Sequence, residues 1–185
     1  MSIHILGICG SLRQESSNQG LIKLAQKLAP TEVTFTVFNK IGSLPFYNED
    51  LEDPSLTPAS VIEWRNIVKS SDALFIAAPE YNFGPSAVLK NAIDWATRPM
   101  GQHALSGKAI SLISSSGSTG GAHMIEQLGG VLGLLGNTVI SEPIGHIAKG
   151  AERISANGST TDQTIEALVS SRLQGLVNIV TSLRK

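Results

Sequence analysis

The sequence predicts an α/β fold built on a parallel sheet, and three observations carry that expectation. Apolar periodicity switches repeatedly between strand and helix along the 185 residues. The runs Ile3–Cys9 and Ala73–Ala78 are apolar almost without a break, as in strands covered on both faces. Loops rich in Gly, Ser or Asn follow three of the strand-like runs.

The elements follow in order. Residues 3–9 read as a buried strand. Asn18–Leu28 carries apolar residues at 21, 22, 24, 25 and 28, a helical spacing. Val33–Phe38 alternates and is rich in β-branched residues, so it reads as a second strand. A polar loop over 40–57 holds Pro45, Pro54 and the acidic group Glu49, Asp50, Glu52 and Asp53. Thr57-Pro58 reads as a cap followed by proline at the first helical position. Ser60 and Glu63 offer a capping box as a second start. That helix is expected to run to about Ser70. Ala73–Ala78 is a third strand, ended by Pro79. Ser86–Thr97 is helical, with Val88, Ala92 and Trp95 on one face. Ala109–Ile113 is a fourth strand. Ala122–Leu135 is helical, with Ile125, Leu128, Leu132 and Leu135 at core spacing. Thr138–Ile140 is a fifth strand, 143–160 a loop, and 161–183 a last helix.

Strict alternation of this kind implies a parallel sheet with helices on both faces. Five strands fit a flavodoxin-like three-layer sandwich of strand order 2-1-3-4-5, in one domain spanning 1–185. Ligands of such sheets sit outside the carboxyl ends of the strands, where the winding reverses between the first and third.

Composition narrows the partners. Apolar residues make up 42% and charged residues 16%, so the chain should fold. A net charge of −1 gives no global case for nucleic acid or an anionic membrane. A single cysteine, Cys9, cannot form an internal disulfide, and a reducing cytoplasm is expected. Its place in an apolar run reads as an inert core thiol. The N-terminus shows no signal-peptide pattern, and no apolar run approaches the roughly 20 residues of a membrane span.

The three loops are GSLRQESSN (10–18), PEYNFG (79–84) and SSSGSTGG (114–121). The first suits a phosphate. Successive backbone N–H groups can form an anion nest. Ser11, Ser16 and Ser17 add hydroxyls, Asn18 can cap the helix that follows, and the positive helix end favours an anion. Arg13 supplies a charge and a fork that matches two phosphate oxygens. Walker A and dinucleotide fingerprints are absent, so a terminal monophosphate fits better than a nucleoside triphosphate. A Ser-rich helix entrance with a solvated arginine is the plain alternative. In the second loop, Pro79 fixes the chain so that the following N–H groups can face a flat heteroaromatic ring, with Tyr81 at its edge. An ordinary strand-to-helix turn is the alternative there. The glycines of the third loop allow backbone to approach a ligand face, or simply make a flexible turn.

Together, GSLRxxSxN, PEYNxxxxxxLKNAIDW (Pro79–Trp95) and SSxGxxGGA (Ser114–Ala122) resemble the NADPH-dependent FMN reductase family, which includes quinone, azo-dye and chromate reductases. The match runs from residue 3 to about 145. The resemblance implies that Ser11, Arg13, Ser17 and Asn18 bind the FMN phosphate. It implies that Pro79, Glu80, Tyr81 and Asn82 line the isoalloxazine ring, mainly through backbone, and that Ser115 and Gly117 approach its pyrimidine side. Lys90, Asn91 and Asp94 belong to a helix that the family uses in its core and subunit contact. Two departures stand out. The proline of the stretch Phe83–Val88 lies one place earlier than usual, and His123 stands where many members carry arginine.

The four histidines lack metal-ligand spacing. No G-x-S-x-G elbow points to a hydrolase. The acidic group 49–53 reads as a solvated loop, and Trp64 and Trp95 as core. The expected activity is hydride transfer from NADPH or NADH to FMN, then passage of two electrons to a small-molecule acceptor such as a quinone, an azo compound or free flavin. No catalytic side chain is required, because the cofactor carries the chemistry. A homodimer or homotetramer is expected from the resemblance. The alternatives are a flavodoxin-type electron carrier, which a net charge of −1 disfavours, and a phosphate-binding module without redox chemistry.

Overall fold

The computed structural model describes residues 2–101 and 103–185. In chain order the elements are β1 (Ile3–Cys9), α1 (Ser17–Leu28), β2 (Val33–Phe38), α2 (Ala59–Ser70), β3 (Ala73–Ala77), β4 (Glu80–Tyr81), β5 (Gly84–Pro85), α3 (Ala87–Ala96), β6 (Ala109–Ser116), α4 (Ala122–Leu134), β7 (Thr138–Val139), β8 (His146–Ala148) and α5 (Gln163–Leu183). The main sheet runs β2-β1-β3-β6-β7, all parallel, which is the expected 2-1-3-4-5 order.

Strand residues alternate between two cores. Leu6, Ile8, Leu74, Ile76, Ile110 and Leu112 face α2, α3 and α4, where Trp64, Trp95, Met124 and Leu128 pack. Ile5, Cys9, Phe75, Ala77 and Ile113 face α1 and α5, against Leu21, Ile22, Val169 and Leu173. Each such Leu or Ile removed from water contributes about 1.5–3 kcal/mol. Both tryptophans are buried, and each indole N–H donates to a carbonyl, Trp64 to Ala92 and Trp95 to Pro45. Cys9 is buried and free. Burial pushes its thiol pKa up against an opposing contact with the Ser11 carbonyl, which fits an inert core thiol. No helix among the described residues is long and apolar enough to cross a membrane.

Four local expectations are corrected. α2 begins at Ala59 with Pro58 at the cap, and no side chain caps it. Thr57 donates its hydroxyl to the Leu51 and Asp53 carbonyls instead. Glu63 pairs with Lys40 at 2.7 Å, so the Ser60–Glu63 box does not form. The segment 79–86 is a hairpin rather than a plain turn, with Tyr81 opposite Gly84. β6 runs three residues beyond Ile113 because β8, inside the expected loop, pairs with it in parallel from Ser114↔His146 to Ser116↔Ala148. The acidic segment is not wholly solvated: Glu52 accepts from the Tyr47 hydroxyl at 2.6 Å and lies 3.5 Å from Arg98.

Arg172 of α5 locks the approach to β8. Its side chain is buried, donating Nε to Ser111 Oγ at 2.8 Å, Nη2 to the Ile140 carbonyl at 3.1 Å and Nη1 to the Pro143 carbonyl. Burial pulls its pKa down to about 10, against the opposing charge of Glu142.

Candidate functional site

A cavity of about 370 Å³ opens at the carboxyl ends of β1, β3 and β6, where the winding reverses. The N-terminus of α1 faces this cavity. Ser16 stands at the cap in extended backbone, and no side chain caps α1. The N–H groups of its first turn therefore have no intrahelical partner, and they carry the positive end of the helix dipole. Ser11 and Ser17 line the same wall. The Arg13 backbone N–H donates to Ser11 Oγ at 3.3 Å, which folds the loop back on itself, and Arg13 Nη2 donates to the Glu15 carbonyl at 3.2 Å.

Asn18 does not cap the helix; α1 begins at Ser17. The buried amide of Asn18 instead joins the first loop to the third. Its Nδ2 donates to the Ser115 carbonyl at 2.8 Å, and its Oδ1 accepts from the Ser115 N–H at 2.9 Å. Ser115 Oγ donates to Ser17 Oγ at 2.6 Å, which leaves the Ser17 proton free to point at a ligand. With both ends of its amide spent, Asn18 offers the cavity only its backbone N–H.

The opposite wall is Pro79, Glu80 and Tyr81. The Glu80 N–H donates to Ser116 Oγ at 2.9 Å. The Glu80 carboxylate turns away from the cavity and holds the start of α4. It accepts from Thr119 Oγ1 at 2.8 Å and the Met124 N–H at 3.1 Å, with His123 Nδ1 at 3.3 Å. Burial alone would raise its pKa; the hydrogen bonds from Thr119, Met124 and His123 outweigh that and lower it. Tyr81 is half exposed. Asn82, next along the chain, does not line this cavity; it occupies the hairpin tip at φ +48°, followed by Phe83 at φ +64°. Positive φ at both positions makes a tight type I′-like turn in which neither residue is glycine. Phe83 is held there by Gln127, whose Nε2 donates to its carbonyl at 2.7 Å, and by edge-to-face packing on His123.

Gly117 supplies the third wall, and a Cβ built on it meets nothing within 4 Å. A flat ligand can therefore lie close to that backbone. The segment after β8 closes the cavity with Lys149, which sequence reasoning missed. Lys149 sits at φ +51°, and its N–H donates to the Gly117 carbonyl at 2.9 Å. Gly150 presses so closely on Ser115 that a Cβ would lie 1.7 Å from Ser115 Oγ. Glu152 also lines this side. Neither Arg13 nor Lys149 is in an ion pair among the described residues. The described residues hold no cluster of ligands for a metal ion.

Fold and site together define a class: flavodoxin-like α/β proteins with a cavity at the carboxyl ends of the central strands, between a helix N-terminus and a glycine-rich loop. The family described as NADPH-dependent FMN reductase matches residues 3–152, and this chain belongs to it. Among its relatives, a Pseudomonas aeruginosa NAD(P)H-dependent FMN reductase is 36% identical over 183 residues, 98% of this chain and 97% of the relative. A 2-hydroxy-1,4-benzoquinone reductase from a Burkholderia species is 36% identical over 164 residues, 88% of each. Among solved structures, the flavoenzyme NAD(P)H:(acceptor) oxidoreductase of Paracoccus denitrificans superposes with a TM-score of 0.85 at 34% identity, over 97% of this chain and 98% of that one. A WrbA-like flavodoxin from Agrobacterium tumefaciens shares the fold, with a TM-score of 0.64.

Proposed function

We propose that this protein is an FMN-dependent NAD(P)H oxidoreductase acting on quinone-type acceptors and free flavin. One observation carries the reading. A single cavity joins a helix N-terminus and two cations that form no ion pair among the described residues to an open glycine wall and the Pro79–Tyr81 shelf. The FMN phosphate sits at Ser11, Arg13, Ser17 and the Asn18 N–H, with Lys149 as a second cation. The ring lies along Pro79, Glu80 and Tyr81, with Ser115 and Gly117 at its pyrimidine side. Bound there, FMN would supply two-electron chemistry between the NADPH or NADH hydride and the acceptor, with the second proton of the reduced acceptor drawn from solvent. The chain's own task is to fix the phosphate, hold the ring flat and leave one ring face open to both substrates in turn. Relatives that reduce quinones support the acceptor class. The family is enzymatic, which sets aside the electron-carrier alternative.

The protein acts as a homo-oligomer in the cytoplasm on this reading. The solvent face of α4, with Leu134 at 92% exposure beside the open Gly130 and Gly133, supports a subunit contact. The test is to release flavin from the purified protein by heat and identify it, then follow NADPH and NADH oxidation against benzoquinones, azo dyes and FMN. FAD as the released flavin, or no turnover with any acceptor, would refute the proposal.

A further inference from the structure

A second cavity of about 610 Å³ opens beside the cradle. Arg13 and Tyr81 belong to the walls of both. Past them the wall turns apolar, with Leu12, Leu44, Phe46 and Val88. Its polar side chains are already committed. Ser86 Oγ donates to the Gly10 carbonyl at 2.7 Å. The Asn91 amide donates to the Pro45 carbonyl at 2.9 Å and accepts from the Tyr47 N–H at 2.8 Å. Past Arg13 and the Tyr81 hydroxyl, which stand where the two cavities meet, a ligand in this groove finds the Ser86 and Asn91 side chains already paired. Leu12 is 63% exposed, Phe46 82% and Tyr81 50%, so apolar area here awaits cover.

We propose that this groove holds the apolar tail of a quinone-type acceptor whose head reacts over the cradle, an inference that rests on the reductase reading above. The chemistry of the walls selects this occupant. A nucleotide would bring ribose hydroxyls and phosphates to a surface that cannot pair them, at a desolvation cost. An alkyl or prenyl chain needs no partners and gains from every methylene withdrawn from water. Arg13 and Tyr81 are walls of both cavities, so an acceptor whose head stacks on the open face of the ring can leave its tail in the groove. Reduction balances as NAD(P)H plus one proton plus quinone giving NAD(P)⁺ plus hydroquinone; the tail takes no part in bond making.

The test compares 1,4-benzoquinones bearing methyl, pentyl and decyl chains on the FMN-loaded protein, each below its aggregation limit. kcat/KM should rise by roughly three- to fourfold per methylene over the first few carbons, mainly through KM. Phe46→Asp, at an exposed position, should weaken the decyl quinone roughly tenfold and flatten the series. Calorimetric binding of a redox-inert decyl-substituted 1,4-dimethoxybenzene reads the groove without turnover, and it should weaken by a similar factor in Phe46→Asp. A flat series in an enzyme that still reduces methylbenzoquinone overturns the groove and leaves the reductase reading standing. Absence of turnover with every quinone strikes the reductase reading instead, and the tail proposal falls with it. If Phe46→Asp splits an oligomer while the chain-length dependence survives, the groove is a subunit boundary and the proposal is overturned.

Discussion

Replacing Arg13 by alanine removes one of the two cations that line the cavity, and on the proposed reading it removes a partner of the FMN phosphate. The guanidinium is exposed and makes one protein hydrogen bond, Nη2 to the Glu15 carbonyl, so its other N–H groups are available to a phosphate. A hydrogen bond between charged partners contributes about 1.5–3 kcal/mol. At tenfold per 1.4 kcal/mol, Arg13→Ala should weaken FMN binding by roughly 10- to 150-fold. Lys149→Ala should cost less, because a lysine offers a point charge rather than a fork and Glu152 stands nearby. If both cations face one dianion, the double variant should depart from the sum of the single losses. Riboflavin lacks the phosphate and should bind wild type and variants about equally. Turnover at saturating FMN should hold, since the ring shelf is formed by other residues. Titration of apoprotein with FMN and riboflavin, followed by flavin fluorescence, measures all of this. An Arg13→Ala protein that binds FMN as tightly as wild type would refute the assignment and return Arg13 to a solvated loop. Equal losses for FMN and riboflavin would refute it as well, because the arginine would then act on the fold.

Glu80 makes a pH prediction. Its folded pKa is lowered from the ordinary 4.5, so its contribution is complete above that value and is lost as pH falls through the lower folded value. Thermal stability of Glu80→Gln should therefore trail wild type at pH 7 and converge with it in acid, and a constant gap down to pH 2 would contradict the clamp. Phe83→Gly relieves a positive φ worth about 1–2 kcal/mol but gives up the packing on His123. Its net effect on Tm should stay within a few degrees, and collapse of the protein would show that the aromatic ring, not the turn, sets the hairpin. Arg172→Met leaves the Ile140 and Pro143 carbonyls without their donor. The buried Ser111 hydroxyl also loses its donor, and a loss of about 1–3 kcal/mol is expected in urea unfolding for that one buried group, with less from the partly exposed carbonyls; a neutral result would show that water replaces the guanidinium.

The parts of the fold that the sequence discloses are those where burial is continuous. Ile3–Cys9 and Ala73–Ala77 are nearly or wholly buried, so their apolar runs mark strands without help from neighbours. The hairpin at 80–85 escapes because its turn residues are Asn82 and Phe83, and the usual signal for such a turn is glycine. β8 escapes because His146-Ile147-Ala148 is three residues long with only Ile147 buried; tertiary pairing with Ser114–Ser116 makes it a strand. Lys149 is invisible for the same reason, since it reaches the cavity only through that pairing. Gly145 and Gly150 were the available hint: a Cβ on Gly145 would lie 2.2 Å from the Leu112 carbonyl, and Gly150 abuts Ser115. Asn18 looked like a cap by residue type, a local preference that its long-range partnership with Ser115 overrides. Glu80 stood in the right loop, but the role of its side chain depends on where α4 begins.

The reciprocal bond between Asn18 and Ser115 bears on how the protein behaves when flavin is scarce. The two loops are joined through their own amide and backbone groups, so departure of the flavin strands no buried donor or acceptor between them. Recapture then spends little on reordering those walls. Dilution of a cell extract should therefore bleach activity without damaging the polypeptide, and added FMN should restore it within minutes. The working quantity inside a cell becomes the ratio of free FMN to its dissociation constant rather than the lifetime of a fragile holoenzyme.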